Sequence, residues 1–345
     1  MKKLRIGVIG AGGIADRRTI PGLLHCRHAE LSAVMGPNLE RTEAIRQKYG
    51  APRAYDDERA LLADPNVDAV YIASPVGDHA RQTMLAADHG KPILLEKPIA
   101  LSCEEGERVL NHCAQKNVQV GAGFMMRFAS HVQSMKRAVD EGKLGQIVSG
   151  YSQFTLWLPG GNWRLDRARA GGGCLMDMGV HVIDLFGFVT GMRITRVAAM
   201  NETITFGYDV EDTSTVLLRL ENGAQCVVQT NFNIPDAASK WRFELFGTKG
   251  RLMGDTMIGQ VDGGTLNLLA LEREQAYDPE QNHADDQGLM VPGEFGNLYT
   301  RQLDAFAEAI LKGRPVPVSA ADALAAQRVI EAAYASQARR TVIDL

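Results

Sequence analysis

Asp177, His181 and Asp184 recur at i, i+4 and i+7 behind a run of three glycines, Gly171-Gly172-Gly173. On a helix this spacing sets the three polar side chains along one stripe, with Leu175, Met178, Val182 and Leu185 on an apolar stripe beside it. Imidazole is the side chain best suited to exchange a proton near neutral pH, and a carboxylate one turn away can fix its tautomer and raise its basicity. Asp177 and His181 are therefore candidates for acid-base work. The same pair also suits a core in which the two groups satisfy each other, and the stretch alone leaves both readings open.

A candidate cation lies earlier, where the strand Pro92 to Leu95 stops at Glu96-Lys97-Pro98. The proline fixes the backbone beside Lys97, and an ammonium held there can polarise a hydroxyl or carbonyl oxygen. Ser74, Pro75 and His79 follow the end of another strand, Val67 to Ala73. Trp163-Arg164 offers a flat wall and a fork of donors suited to a hydroxylated ring, the alternative being a packing Trp with a solvated Arg. Arg127 follows the glycine-containing end of a strand and is expected to face a ligand; a structural salt bridge is the alternative.

These groups need elements to hold them. Leu4 to Ile9 is a branched apolar run followed by Gly10-Ala11-Gly12-Gly13-Ile14-Ala15 and a helix-compatible segment. Such a G-x-G-x-x-A turn, placed after a first strand, marks a dinucleotide site: Gly10 for the tight turn, Gly12 for close approach of a pyrophosphate, and Ala15 for close helix packing. Lys2 and Lys3 ahead of an apolar run mimic a signal peptide, but Arg5 interrupts it and the segment reads better as strand and turn. The next strand, Glu30 to Met35, ends in Gly36-Pro37-Asn38 with no acid at its tip. The cofactor is NAD or NADP. A missing carboxylate removes repulsion from a 2′-phosphate and Arg41 could pair with it, which leans towards NADP; Arg41 as an exposed first-turn helix residue is the alternative. With a helix over Ala80 to His89, the alternation of strand and helix predicts a doubly wound parallel sheet.

At 345 residues two domains are expected, with the junction at Gly121 to Gly123 dividing the chain into 1–122 and 123–345. The second should hold a helix over Val132 to Glu141, a strand over Gln146 to Leu158, and a turn-linked antiparallel meander. Its strands are Val197 to Glu202, Thr213 to Leu220, Ala224 to Phe232, Trp241 to Gly247 and Gly250 to Asp255. A polar, irregular excursion over Asp278 to Gly296 follows, with His283 exposed in it, then helices over Leu298 to Leu311 and Ala320 to Arg339.

Formal net charge is −4, from 37 basic and 41 acidic residues without long runs, which argues against nucleic-acid and membrane partners and for a small molecule. Five scattered cysteines without C-x-x-C spacing suggest neither disulfides nor a metal site, and fit a reducing cytoplasm. No apolar run is expected to approach the length of a membrane span.

The G-x-G-x-x-A turn, Glu96-Lys97-Pro98, and Gly-Gly-Gly-x-Leu-x-Asp-x-Gly-x-His-x-x-Asp together resemble the Gfo/Idh/MocA oxidoreductases, the glucose-fructose oxidoreductase and inositol dehydrogenase family. The likeness covers nearly the whole chain. It includes Tyr71-Ile72-Ala73-Ser74-Pro75 with His79, Gly123 to Phe128, Gly142 to Gly145, Trp163-Arg164, and Phe246 to Gly250. It implies a Rossmann domain followed by an α/β domain whose open, mostly antiparallel sheet makes homodimer or homotetramer contacts, with a sugar or polyol bound between the domains. The family's catalytic lysine falls on Lys97, and its aspartate and histidine on Asp177 and His181.

Coenzyme contacts are then expected from Gly10, Gly12, Gly13, Ile14, Arg41, Ser74, Pro75, His79, Glu96 and Lys97. Substrate contacts are expected from Lys97, Arg127, Trp163, Arg164, Asp177 and His181. The implied reaction moves a hydride between nicotinamide and the carbon of a secondary hydroxyl. His181 would exchange the proton and Lys97 stabilise the oxygen, or Lys97 would exchange it. Gly36 departs from the acid many NAD-using members carry. The alternatives are a non-catalytic sensor of the same fold, or an enzyme that recycles a tightly held cofactor, as a sugar oxidoreductase or NAD-dependent glycosidase does.

Overall fold

The computed structural model describes residues 2–272, 277, 279–280 and 288–345; His283 and most of the excursion from 278 to 287 lie outside the described residues. Strand β1 (Leu4–Ile9) is buried along nearly its whole length, as a strand covered on both faces must be. It is joined in parallel by β2 (Ala29–Met35), β3 (Arg53–Tyr55), β4 (Ala69–Ile72), β5 (Ile93–Leu95) and β6 (Val120–Ala122) in the order β3-β2-β1-β4-β5-β6. Chain order reverses between β1 and β4, and ligands of such sheets bind at the carboxyl ends there. Helices Leu39–Tyr49 and Cys103–Gln115 begin on Asn38 and Ser102, whose side chains accept an amide hydrogen bond from the first turn.

Later in the chain are β7 (Ile147–Thr155), β8 (Ile194–Glu202), β9 (Thr213–Leu220), β10 (Gln225–Asn231), β11 (Arg242–Gly247), β12 (Gly250–Asp255), β13 (Thr265–Ala270), β14 (Leu289–Met290) and β15 (Ile343–Asp344). Among the described residues they form one sheet in the order β14-β13-β12-β11-β7-β10-β9-β8-β15. The sheet is mostly antiparallel, as expected, but β7 comes between β10 and β11 of the expected meander and pairs in parallel with β10, so the sheet is mixed at its centre. Helix Val180–Thr190 covers one face, where Phe186 meets Phe243 with ring centroids 4.6 Å apart. Among the described residues nothing covers the other face, and on it Leu217 of β9 is 44% and Met253 of β12 is 38% exposed.

Packing divides the chain into two units. The first comprises 1–125, 162–171 and 297–328, and the second 126–161, 172–296 and 329–345. The first unit therefore recruits segments from beyond the single boundary at 122/123 that the sequence suggests. Helix Leu298–Leu311 joins it by placing Leu303 and Phe306 in the core with Ile6 and Val8. One expectation is corrected: taken as a single helical run, Arg167–Thr190 is long and apolar enough to cross a membrane. With 83% of its most apolar stretch buried inside the protein, the run belongs to the core.

Candidate functional site

In the first unit, Gly10 adopts φ +80°, and its amide and that of Ala11 donate to the Met35 carbonyl at 3.0 and 2.9 Å. A Cβ on Gly10 would stand 2.6 Å from the Ser74 amide nitrogen, so only glycine lets the turn rest against the end of β4. Gly12 and Gly13 face open space, where a Cβ would meet nothing within 4 Å, and half-buried Ile14 leads into the π turn Ala15–Thr19. That is the arrangement a pyrophosphate needs. Gly36 stands at the tip of β2, and Arg41 is an exposed first-turn residue whose amide donates to Asn38 Oδ1 at 2.9 Å.

Ser74 and Pro75 are half-buried at the end of β4. His79 is buried, its Nδ1 lying 2.8 Å from the Pro98 carbonyl and its Nε2 2.8 Å from the Ser74 carbonyl. It braces the loop after β4 against the turn after β5, and burial lowers its pKa below the ordinary imidazole value. Glu96 is buried: Oε1 accepts from the Tyr71 hydroxyl at 2.5 Å and Oε2 from the Lys97 amide at 3.3 Å. Burial raises its carboxyl pKa above the usual carboxylate range. Lys97 is half-buried and joined to Pro98 by a cis peptide. Trp163 and Arg164, on a short turn capped by Asn162, also belong to this unit, with the guanidinium 4.7 Å from the Trp163 ring centroid.

In the second unit, Asp177 lies in a π turn, Leu175–Gly179, that runs into helix Val180–Thr190. The extra residue of a π turn widens the predicted stripe between Asp177 and His181. Asp177 is half-buried and His181 is 5% exposed. Asp184 belongs to a different grouping. Its carboxylate pairs in a fork with Arg127, Nε to Oδ2 at 2.8 Å and Nη2 to Oδ1 at 2.5 Å, while the guanidinium lies 5.0 Å from the Phe188 ring centroid. The salt-bridge alternative for Arg127 is thus realised. Sequence reasoning passed over Glu211, which grips the glycine turn, and Thr19, whose hydroxyl donates to Tyr71 at 2.9 Å. Both act across long stretches of chain that carry no periodic signal.

A glycine turn at the switch point of a doubly wound parallel sheet defines a dinucleotide-binding protein. Its first unit matches the model described as "Oxidoreductase family, NAD-binding Rossmann fold" over residues 4–124, and the GFO/IDH/MocA C-terminal domain matches residues 132–253. The chain belongs to the GFO/IDH/MocA family of oxidoreductases.

It is 29% identical over 309 residues to a 1,5-anhydro-D-fructose reductase of Ensifer adhaerens, covering 89% of this chain and 88% of that one. To a D-xylose 1-dehydrogenase (NADP(+)) of Haloferax volcanii it is 29% identical over 346 residues, covering 99% and 100%. The crystal structure of aldose-aldose oxidoreductase from Caulobacter crescentus, complexed with glycerol, superposes with a TM-score of 0.88 at 27% identity over 100% of both chains.

Proposed function

We propose that this oxidoreductase interconverts a secondary alcohol and a carbonyl on a sugar or cyclic polyol. The observation that carries the reading is the buried His181 imidazole, following Asp177 on a helix set by a glycine turn, in a chain with a dinucleotide-binding sheet. The relatives' names support a hydroxylated carbon skeleton as the substrate class.

Gly10, Gly12, Gly13 and Ile14 would hold the coenzyme's phosphates, and Ser74, Pro75 and Lys97 would border its reactive end. When bound, NAD(P) supplies a hydride acceptor or donor at its nicotinamide. His181 takes the hydroxyl proton when the alcohol is oxidised and returns it when the carbonyl is reduced. The Lys97 ammonium stabilises negative charge on the substrate oxygen, and Asp177 orients the imidazole or the substrate. Trp163 and Arg164 offer a stacking wall and donors to ring hydroxyls, while Arg127 braces the His181 helix through Asp184.

Gly36 at the tip of β2 and exposed Arg41 support NADP as the preferred coenzyme. The uncovered sheet face around Leu217, Tyr151 and Met253 supports contact with a second copy of the chain. Five buried free thiols support a reducing, cytoplasmic setting. The test is a panel of aldoses, cyclic polyols and keto-sugars assayed with NAD and NADP in both directions by the absorbance of reduced nicotinamide. Turnover of at least one hydroxylated member is expected; no turnover across the panel, with no coenzyme bound, contradicts the reading.

A further inference from the structure

The turn that precedes Asp177 is held from outside its own helix. Glu211 lies just ahead of β9, and its Oε1 accepts from the amides of Gly173 at 2.9 Å and Leu175 at 3.1 Å and from the Tyr334 hydroxyl at 2.8 Å. Its backbone carbonyl accepts from the Cys174 amide at 3.0 Å, so three successive residues hang on one. The fit is close. A Cβ on Gly173 would stand 1.9 Å from the Glu211 carbonyl oxygen, and one on Gly172 would stand 2.0 Å from the Tyr334 hydroxyl oxygen. The adjacent Asp212 is turned to other work, taking the amides of Ile204, Thr205 and Phe206 at 3.0, 2.8 and 3.1 Å.

The residues that follow Glu211's contacts form the π turn Leu175–Gly179, with Val180 closing its wide hydrogen bond onto the Leu175 carbonyl. Leu175, the first residue of that turn, is one of the residues Glu211 holds. A helix has only its first amides free to be anchored by an outside group, and the phase of every later side chain follows from where those amides are fixed. The aim of Asp177 and of His181 therefore follows the anchoring of that turn, in which the Glu211 carboxylate oxygen holds two amides and its backbone carbonyl the third.

We propose that Glu211 is a positioning residue for Asp177 and His181, and that the reach of its side chain, rather than its charge, sets their direction. The inference rests on the proposed role of His181. Two variants separate reach from charge: Glu211→Gln keeps an acceptor oxygen at the same distance, and Glu211→Asp keeps the charge but withdraws the oxygen by one methylene. Turnover, the Michaelis constants for substrate and coenzyme, and the melting temperature are measured for each. A displacement on the ångström scale can cost up to about a hundredfold in rate, so kcat of Glu211→Asp should fall by about tenfold to a hundredfold while the coenzyme KM stays unchanged.

Glu211→Gln should keep kcat within about threefold of wild type, a rescue that a loss of fold stability alone would not give. If Glu211→Asp does not fold, Tyr334→Phe removes one donor, loosens the same oxygen and should lower kcat with the coenzyme KM intact; unchanged kcat there overturns the proposal. Wild-type kcat in Glu211→Asp, or a fall in Glu211→Gln as deep as in Glu211→Asp, also overturns it. A parallel His181→Ala separates the two claims. Full turnover in that variant removes the proposed function itself, whereas an inactive His181→Ala beside a fully active Glu211→Asp removes only the positioning role.

Discussion

The Tyr71 hydroxyl donates to Glu96 Oε1 across 2.5 Å, and both side chains are buried in the parallel sheet next to the peptide that carries Lys97. The carboxyl is thereby fixed by a phenol on one oxygen and by the Lys97 amide on the other. It acts as a strut for the lysine backbone.

Burial raises the Glu96 pKa above its ordinary 4.5. Below that ordinary value both folded and unfolded chains hold the proton, and the stability linked to it is fully present. As pH rises through the folded value the unfolded chain has already released its proton, so stability falls by at most about 1.4 kcal/mol per pH unit for this one group. Glu96→Gln should flatten the urea-midpoint profile above the ordinary carboxyl pKa, leaving the slopes from Glu211 and Glu244, which are raised by burial in the same sense. Parallel profiles would show that Glu96 does not titrate as described.

Arg127 and Asp184 form a fork with side chains only 12% and 2% exposed. Removing one member of a buried pair strands the other, so Arg127→Ala should lose about 3 kcal/mol of unfolding free energy, with the substrate KM little changed. A large rise in KM at full stability would instead return Arg127 to the substrate.

The parts of the fold legible in the sequence are those whose signals are local. A continuous apolar run announced β1, glycine spacing announced the turn after it, and helical periodicity bounded by Gly313 and Ser319 announced the last two helices at their observed limits. The parallel pairing of β7 with β10 depends on two distant strands and left no local trace. The π turn at Asp177 breaks the 3.6-residue period assumed for the Asp177, His181, Asp184 stripe, and Asp184 pairs with Arg127, which lies far off in the chain. Likewise the packing of residues 162–171 with the first unit, which carries Trp163 and Arg164 with it, is set by contacts far along the chain.

The NADP preference proposed above draws on Arg41, exposed beyond the acid-free tip of β2. A charged hydrogen bond contributes roughly 1.5–3 kcal/mol, so Arg41→Ala should raise the dissociation constant for NADP by about tenfold or more. The constant for NAD should hold steady in the same fluorescence titration. Equal loss for both coenzymes would detach Arg41 from the 2′-phosphate.

Leu217 stands 44% exposed on the uncovered sheet face, in register with Val227 and, through it, Tyr151. At the contact with a second copy proposed for this face a charge is costly to desolvate, so Leu217→Asp should lower the sedimentation coefficient to that of a smaller species while the far-ultraviolet spectrum stays native. An unchanged assembly, or a wild-type protein that is already monomeric, removes this face from the oligomer contact.

The most direct test of the account is pre-steady-state hydride transfer in His181→Ala with the substrate identified by the panel, alongside a coenzyme-binding titration of the same preparation. Loss of an acid-base group should slow transfer by about a hundredfold to ten-thousandfold while coenzyme affinity stays within about twofold of wild type. Transfer at the wild-type rate would contradict the assignment of His181 as the group that exchanges the substrate's proton.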